Sequence, residues 1–176
     1  LCNVLTEHGM TDLAYRLLLN EEYPGWLHEV KLGATTVWER WNSLDENGRI
    51  SSTGMNSLNH YSYGAVLEWI FRHVAGIDVT EQGPGGKMMR ISPKVDHKLG
   101  SASAVYDSAS GCYRCGWQIE NGDQITVTVT VPFGAKAQVI LPYAPDSVYH
   151  DTDNPLFETV ENGICCVKAG QYTVTY

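Results

Sequence analysis

The period of the apolar pattern changes once along this chain, and it changes at a glycine-rich stretch. Up to about Ile77 the spacing is helical. Met10, Leu13, Ala14, Leu17 and Leu18 follow the i, i+3, i+4, i+7, i+8 pattern of one helix face. Further on the period is two, most plainly in Thr126-Val127-Thr128-Val129-Thr130-Val131, the alternation of a half-buried antiparallel strand. Gly76 to Gly86, which contains Gly83-Pro84-Gly85-Gly86, is the boundary. Such a chain is α+β with its helices and strands segregated, and the domains expected are 1–80 and 81–176.

In the helical half Gly9 reads as a stop and Thr11 as a cap for the next helix, which Pro24-Gly25 ends. A short element follows from Trp26 to Val30. The longest helix is expected from about Ser57 to Ala75, with Gly76 as its stop. Leu58, Tyr61, Ala65 and Trp69 lie on one of its faces, and Tyr63, Leu67, Ile70, Phe71 and Val74 on others. A helix apolar nearly all round is buried on most sides, so this one needs more neighbours than the half supplies. In the second half, strands are expected near Met88 to Ile91, Ser103 to Tyr106, Cys112 to Ile119, Ala137 to Leu141 and Tyr172 to Tyr176. Asn121-Gly122 and Asn162-Gly163 are hairpin signals. Short strands this closely spaced indicate an antiparallel β-sandwich.

Hydrophobic content of 43% and charged content of 18% exclude a disordered chain. The net charge of −8, with no basic cluster, argues against nucleic acid and an anionic membrane surface as partners. No stretch of about 20 apolar residues is present to span a bilayer. The chain opens as Leu1-Cys2-Asn3-Val4-Leu5, without Met and in the manner of a helix interior, so a truncated product is expected. The compartment stays open. Cys112-x-x-Cys115 and Cys165-Cys166 raise a zinc reading. Both pairs lie in expected strands, where neighbours and residues three apart point to opposite faces. Buried free thiols are the expectation, with no metal and no cofactor.

Two segments carry chemistry: Gly33-Ala34-Thr35-Thr36-Val37-Trp38-Glu39-Arg40-Trp41 and Met55-Asn56-Ser57-Leu58-Asn59-His60-Tyr61. The first sets a carboxylate between two indoles. The second sets an Asn-His pair at the expected start of the long helix. Indoles stack on the C–H faces of sugars, and a carboxylate among them can activate water or hold hydroxyls. These residues resemble the C-terminal part of bacterial α-L-rhamnosidases, in which a GATTxWExW segment precedes MNSxNHYxYG. The resemblance runs over nearly the whole chain and implies a piece of a longer enzyme. It implies the last helices of an (α/α)6 catalytic barrel followed by a β-sandwich, and hydrolysis of terminal α-L-rhamnosides with inversion, with cytoplasm and periplasm of a bacterium both left open.

Each site residue has two readings. Thr36-x-x-Glu39 fits a capping box, which would keep Glu39 ionised. The resemblance puts Glu39 at the position of the general base. His60 is a core residue of an apolar helix, or, by the resemblance, a ligand of sugar hydroxyls. Asn59 caps the helix or binds sugar. Trp38 and Trp41 are core residues or the walls of a sugar pocket. Arg40 pairs with Glu39 or with a neighbour. Trp26 and His28 are expected to pack, and Asp45, Glu46 and Asn47-Gly48 to form a solvated turn. Glu29 gives no sign of being a second catalytic carboxylate. The resemblance places the general acid upstream, in the missing N-terminal part of the catalytic domain. The isolated chain is therefore expected to be inactive and to self-associate through its helical half. The alternatives are another (α/α)6 glycosidase, or a non-catalytic structural or carbohydrate-binding module. For the module, Tyr106, Tyr113, Tyr143, Tyr149 and Tyr172 could form a sugar platform, though tyrosines are ordinary strand residues.

Overall fold

A computed structural model describes residues 1–45, 47–52, 54–81, 83–149 and 164–176, and the backbone of 159–161. The chain divides into two compact units, Leu1–Trp69 and Ile70–Tyr176.

The first unit holds helices α1 (Cys2–Glu7), α2 (Thr11–Leu18), α3 (Trp26–Lys31) and α4 (Val66–Trp69), the last preceded by a 3-10 turn at Tyr63–Ala65. Two of these helices end in the same way. After α1, Met10 N–H reaches Leu5 O at 2.7 Å and Gly9 N–H reaches Thr6 O at 3.1 Å, with Gly9 at φ 76°. After α3, Ala34 N–H reaches Glu29 O at 3.0 Å and Gly33 N–H reaches Val30 O at 2.9 Å, with Gly33 at φ 85°. Both are Schellman caps, in which a glycine takes the left-handed residue that a side chain would strain. Thr11 is the first residue of α2 rather than its cap; Met10 holds the cap position, and no side chain bonds there. The core is built on Ala14, Tyr15 and Trp69. Tyr15 meets Trp69 edge-on at 5.3 Å, and the Trp69 indole N–H donates to Thr6 Oγ1 at 2.8 Å.

The long helix expected from Ser57 starts only at Tyr63. It runs as a 3-10 turn, then α, then π over Ile70–Val74. The reason lies in 57–62, where the backbone amides have other partners. Asn59 N–H donates to Ser57 Oγ at 3.1 Å, His60 N–H to Val37 O at 2.8 Å, and Ser62 N–H to His60 Nδ1 at 3.2 Å. Short polar side chains offering local acceptors compete with helix in this way. Nor is the segment buried all round: Tyr61 is 86% exposed and Leu67 62%. The expected capping box is absent too, because no helix follows Thr36 and the Glu39 amide is taken by Ser57 O at 2.9 Å.

The second unit is a β-sandwich. One sheet has the order β1 (Ile77–Val79), β2 (Met88–Ile91), β6 (Lys136–Val139), β8 (Ile164–Val167), β7 (Thr159–Glu161). The other has the order β3 (Ser101–Ser108), β4 (Gly111–Glu120), β5 (Gln124–Val131), β9 (Gly170–Thr175). All pairs are antiparallel except β2 with β6. The inward positions alternate as the period of two requires: Tyr113, Cys115 and Trp117 on β4, Ile125, Val127, Val129 and Val131 on β5. The Tyr113 hydroxyl lies 2.8 Å from Gly86 O and 2.9 Å from Lys136 O, and the Trp117 indole donates to Val74 O at 2.7 Å. Strand β1 and a 3-10 turn at Pro84–Gly86 occupy the glycine-rich stretch, both inside this unit. Asn121-Gly122 makes the β4–β5 turn with both residues at positive φ, whereas Asn162-Gly163 lies outside the described residues. All five cysteines are free, and no cluster of three or more His, Cys, Asp or Glu among the described residues could hold a metal.

Candidate active site

The two motif segments are clasped side by side in the first unit. Val37 O accepts His60 N–H at 2.8 Å, and Ser57 O accepts Glu39 N–H at 2.9 Å. The Thr36 hydroxyl adds a short bond to Leu58 O. Residues 36–39 and 57–60 thus form an irregular two-stranded ladder, with Glu39 on one segment and His60 on the other.

Glu39 is half-buried, and its carboxylate takes no hydrogen bond or ion pair from the described residues. It is neither a cap nor a fixed ion-pair partner, so both oxygens remain available to a ligand or water. Arg40 turns elsewhere. Its guanidinium donates to Met55 O, and its backbone N–H reaches Ser43 Oγ at 3.2 Å. His60 is also half-buried, stacked on Tyr61 at 5.2 Å with 9° between the rings. Its Nδ1 accepts the Ser62 amide, so the neutral ring carries its proton on Nε2 and offers that nitrogen as a donor. Asn59 is exposed.

The indoles part company. Trp38 is 2% exposed and presents no open ring face. Trp41 is half-buried, stacked on Tyr63 at 3.9 Å with 9° between the rings, and meets Trp26 edge-on at 5.1 Å. The Trp26 indole donates to Tyr63 O at 3.1 Å. Trp26 therefore packs, as expected. His28 sits edge-on to Tyr23 at 5.6 Å. The Asn47-Gly48 turn is exposed, held by Asp45 Oδ1, which accepts the amides of Asn47 and Arg49 at 2.9 and 2.8 Å.

Three supporting residues escape a reading of the sequence. Ser43 is fully buried and exchanges hydrogen bonds with Asn56. Glu29 is 3% exposed, and burial pushes its carboxyl above its usual value. A signal for Glu29 did exist. It stands three residues after Trp26, on the same face of the helix.

The Glu39 and His60 segments thus belong to the helical unit, and a β-sandwich follows it in the chain. Residues 1–74 match the family model of the bacterial α-L-rhamnosidase six-hairpin glycosidase domain, and residues 76–154 match that of the bacterial α-L-rhamnosidase C-terminal domain. The chain belongs to the bacterial α-L-rhamnosidase family. It is 40% identical over 174 residues to an α-L-rhamnosidase of an Alteromonas species, covering 98% of this chain and 18% of that protein. It is 38% identical over 162 residues to one from Formosa agariphila, covering 92% and 17%. The Streptomyces avermitilis α-L-rhamnosidase, solved in complex with L-rhamnose, superposes with a TM-score of 0.82 at 36% identity over 99% of this chain and 17% of that one. The Aspergillus terreus α-L-rhamnosidase gives 0.83 at 28% identity, over 99% and 18%. The chain thus spans a fifth or less of the length of the relatives it matches.

Proposed function

We propose that this chain is the C-terminal portion of an enzyme that hydrolyses terminal α-L-rhamnosides with inversion. Glu39 acts as general base, and His60 donates to a sugar hydroxyl through Nε2. Trp41 and Asn59 border the sugar, and Trp38 backs the Glu39 segment from inside. The observation that carries the reading is the clasp of 36–39 on 57–60, which sets an uncommitted carboxylate and a donor imidazole on adjoining segments. Inversion needs one carboxylate to take a proton from water while a second, protonated carboxyl assists the leaving oxygen. The two stand roughly 6.5–9.5 Å apart so that the water fits between them. The second carboxyl belongs to sequence outside this chain, so the isolated chain does not turn over rhamnosides.

The test is Glu39→Gln in the full-length enzyme, assayed on a chromogenic rhamnoside. Turnover should fall by roughly 10²–10⁴-fold, the range for a lost general base, with the fold retained. Unchanged turnover would remove Glu39 from the mechanism. The reading extends to association. Leu1, Val4, Met55, Tyr61 and Leu67 of the helical unit are all more than half exposed. Apolar surface of this kind drives contact in water, so the isolated chain self-associates through its helical half, and sedimentation as a monomer at all concentrations would refute this.

A further inference from the structure

A cavity of about 410 Å³ opens in the helical unit, lined by Tyr23, His28, Asn42, Leu44, Asp45 and Asn47. Small-molecule clefts run from roughly 300 to 1,000 Å³. The two loops that wall it are held by bonds of their own. Asn20 holds the loop that carries Tyr23: its side-chain amide donates to Glu22 O at 2.8 Å and to Pro24 O at 2.9 Å, and its Oδ1 accepts Glu22 N–H at 3.2 Å. Asp45 holds its own turn, where Oδ1 takes the amides of Asn47 and Arg49 and the Asp45 N–H donates to Arg49 O at 2.8 Å. Walls fixed in this way are set before a ligand arrives, which lowers the cost of binding one.

The remaining polar groups at the cavity are uncommitted. The Tyr23 hydroxyl, the His28 ring, the Asn42 and Asn47 side chains and Asp45 Oδ2 make no hydrogen bond or ion pair with the described residues. Tyr23 and His28 meet edge-on at 5.6 Å with 79° between the rings, an aromatic corner, and Leu44 adds apolar surface. Carboxamides both donate and accept, whereas a carboxylate accepts only. That mixture fits a ligand with C–H faces and many hydroxyls. Among the described residues no lysine or arginine lines the cavity, and the Asp45 carboxylate does, so an anionic ligand meets a like charge there.

Asn42 stands next to Trp41 and three residues after Glu39. Three residues of chain reach at most about 11 Å, so one wall of the cavity begins within that distance of the proposed general base. We propose that this cavity is the subsite for the sugar to which the rhamnose is attached, and that this sugar is neutral. The inference rests on the proposed function, in which the rhamnose itself lies at Glu39 and His60. Tyr23 and His28 take the C–H face of the second sugar, Asn42 and Asn47 bond its hydroxyls, and Asp45 accepts from a hydroxyl and turns away a uronic acid.

The experiment uses the full-length enzyme with rhamnosyl-glucose, rhamnosyl-glucuronic acid and a chromogenic rhamnoside as substrates, and free L-rhamnose as inhibitor. Wild type should use the neutral disaccharide with a kcat/KM at least about threefold above the acidic one, the scale of one exposed charge pair. Asp45→Asn keeps an oxygen for the turn and removes the charge, so it should erase that preference. Asn42→Ala and Tyr23→Ala should each lower kcat/KM on the neutral disaccharide by about 3–10-fold, with inhibition by free L-rhamnose held within about twofold, because free rhamnose has no second sugar. Should Tyr23→Ala fail to fold, Asn42→Ala and Asp45→Asn decide. Unchanged kcat/KM in the alanine variants, or an equal loss of rhamnose inhibition, overturns the subsite. Equal or better use of the acidic disaccharide by wild type overturns the neutral sugar. If wild type cleaves no rhamnoside, the proposed function has failed and the subsite with it. If it cleaves the chromogenic rhamnoside and neither disaccharide, only the subsite has failed.

Discussion

The Ser43 hydroxyl donates to Asn56 Oδ1 at 2.7 Å, and the Asn56 amide returns a bond to Ser43 O at 3.0 Å. Ser43 O also receives Ser51 N–H at 2.9 Å. This exchange closes the loop between the two motif segments just beyond Arg40. Asn56→Ala leaves the buried Ser43 hydroxyl without its acceptor. The expected loss is about 1–3 kcal/mol of stability, read from denaturant unfolding of the chain. A change below a few tenths would mean that the loop closes by other means.

His60→Ala in the full-length enzyme should weaken inhibition by L-rhamnose by roughly 2–10-fold, the equivalent of one neutral hydrogen bond of about 0.5–1.5 kcal/mol. The fold should hold, because the His60 backbone N–H to Val37 O survives the substitution. A large drop in melting temperature with unchanged inhibition would give the ring a structural role instead.

Burial holds the Glu29 carboxyl above the usual carboxylate range in the folded chain. The folded state therefore binds more protons than the unfolded state as pH rises past that range. Stability contributed by this group is present in acid and is lost as pH rises through the folded pKa. Glu29→Gln removes the titration. Thermal unfolding of both forms from pH 4 to 7 should show the variant gaining on wild type as pH rises. A constant difference across the range would refute the raised pKa.

The sandwich was legible in residues such as Thr126 to Val131, because a period of two on a half-buried strand leaves little choice of face. The helical half was less so. Leu58, Tyr61 and Ala65 carry helical spacing, yet Ser57 Oγ, His60 Nδ1 and Val37 O take the amides that a helix at 57–62 would have used. Periodicity registers side-chain spacing and is blind to such local acceptors. Glu39 was legible by type and by its neighbours. Its freedom from a cap was not, since Thr36-x-x-Glu39 satisfies the capping pattern in one dimension and fails it in three. Tyr15 shows the converse: it sits off the apolar stripe of α2 (Thr11–Leu18) and is nonetheless 2% exposed, drawn inward by the edge of Trp69.

Tyr113→Phe should destabilise the sandwich by about 1–3 kcal/mol, since Gly86 O and Lys136 O lose their shared hydroxyl inside the fold. Chemical denaturation followed by far-UV circular dichroism reads the change. An unaltered midpoint would show that water replaces the hydroxyl.

Burial pushes the Cys115 thiol up to about 12 and that of Cys165 to about 11. The reactive species is the thiolate, so both should resist alkylation at pH 8 in the folded chain and react once it is unfolded. Cys112 and Cys166, which are half-buried, should label first. Mass spectrometry of the partly labelled chain locates the adducts, and early labelling of Cys115 would contradict its burial.

Gly76 stands where the apolar period changes, at φ 86°, and a Cβ built on it would lie 2.3 Å from Pro93 N and 2.5 Å from Pro93 Cα. Both obstacles are backbone, and neither can swing aside. A saturation library at this position should return glycine alone. Anyone grafting this sandwich onto a foreign helix must carry Gly76 and the Ser92-Pro93 turn across as a single cassette, because a splice between them would strand one half of a contact that tolerates no substitute.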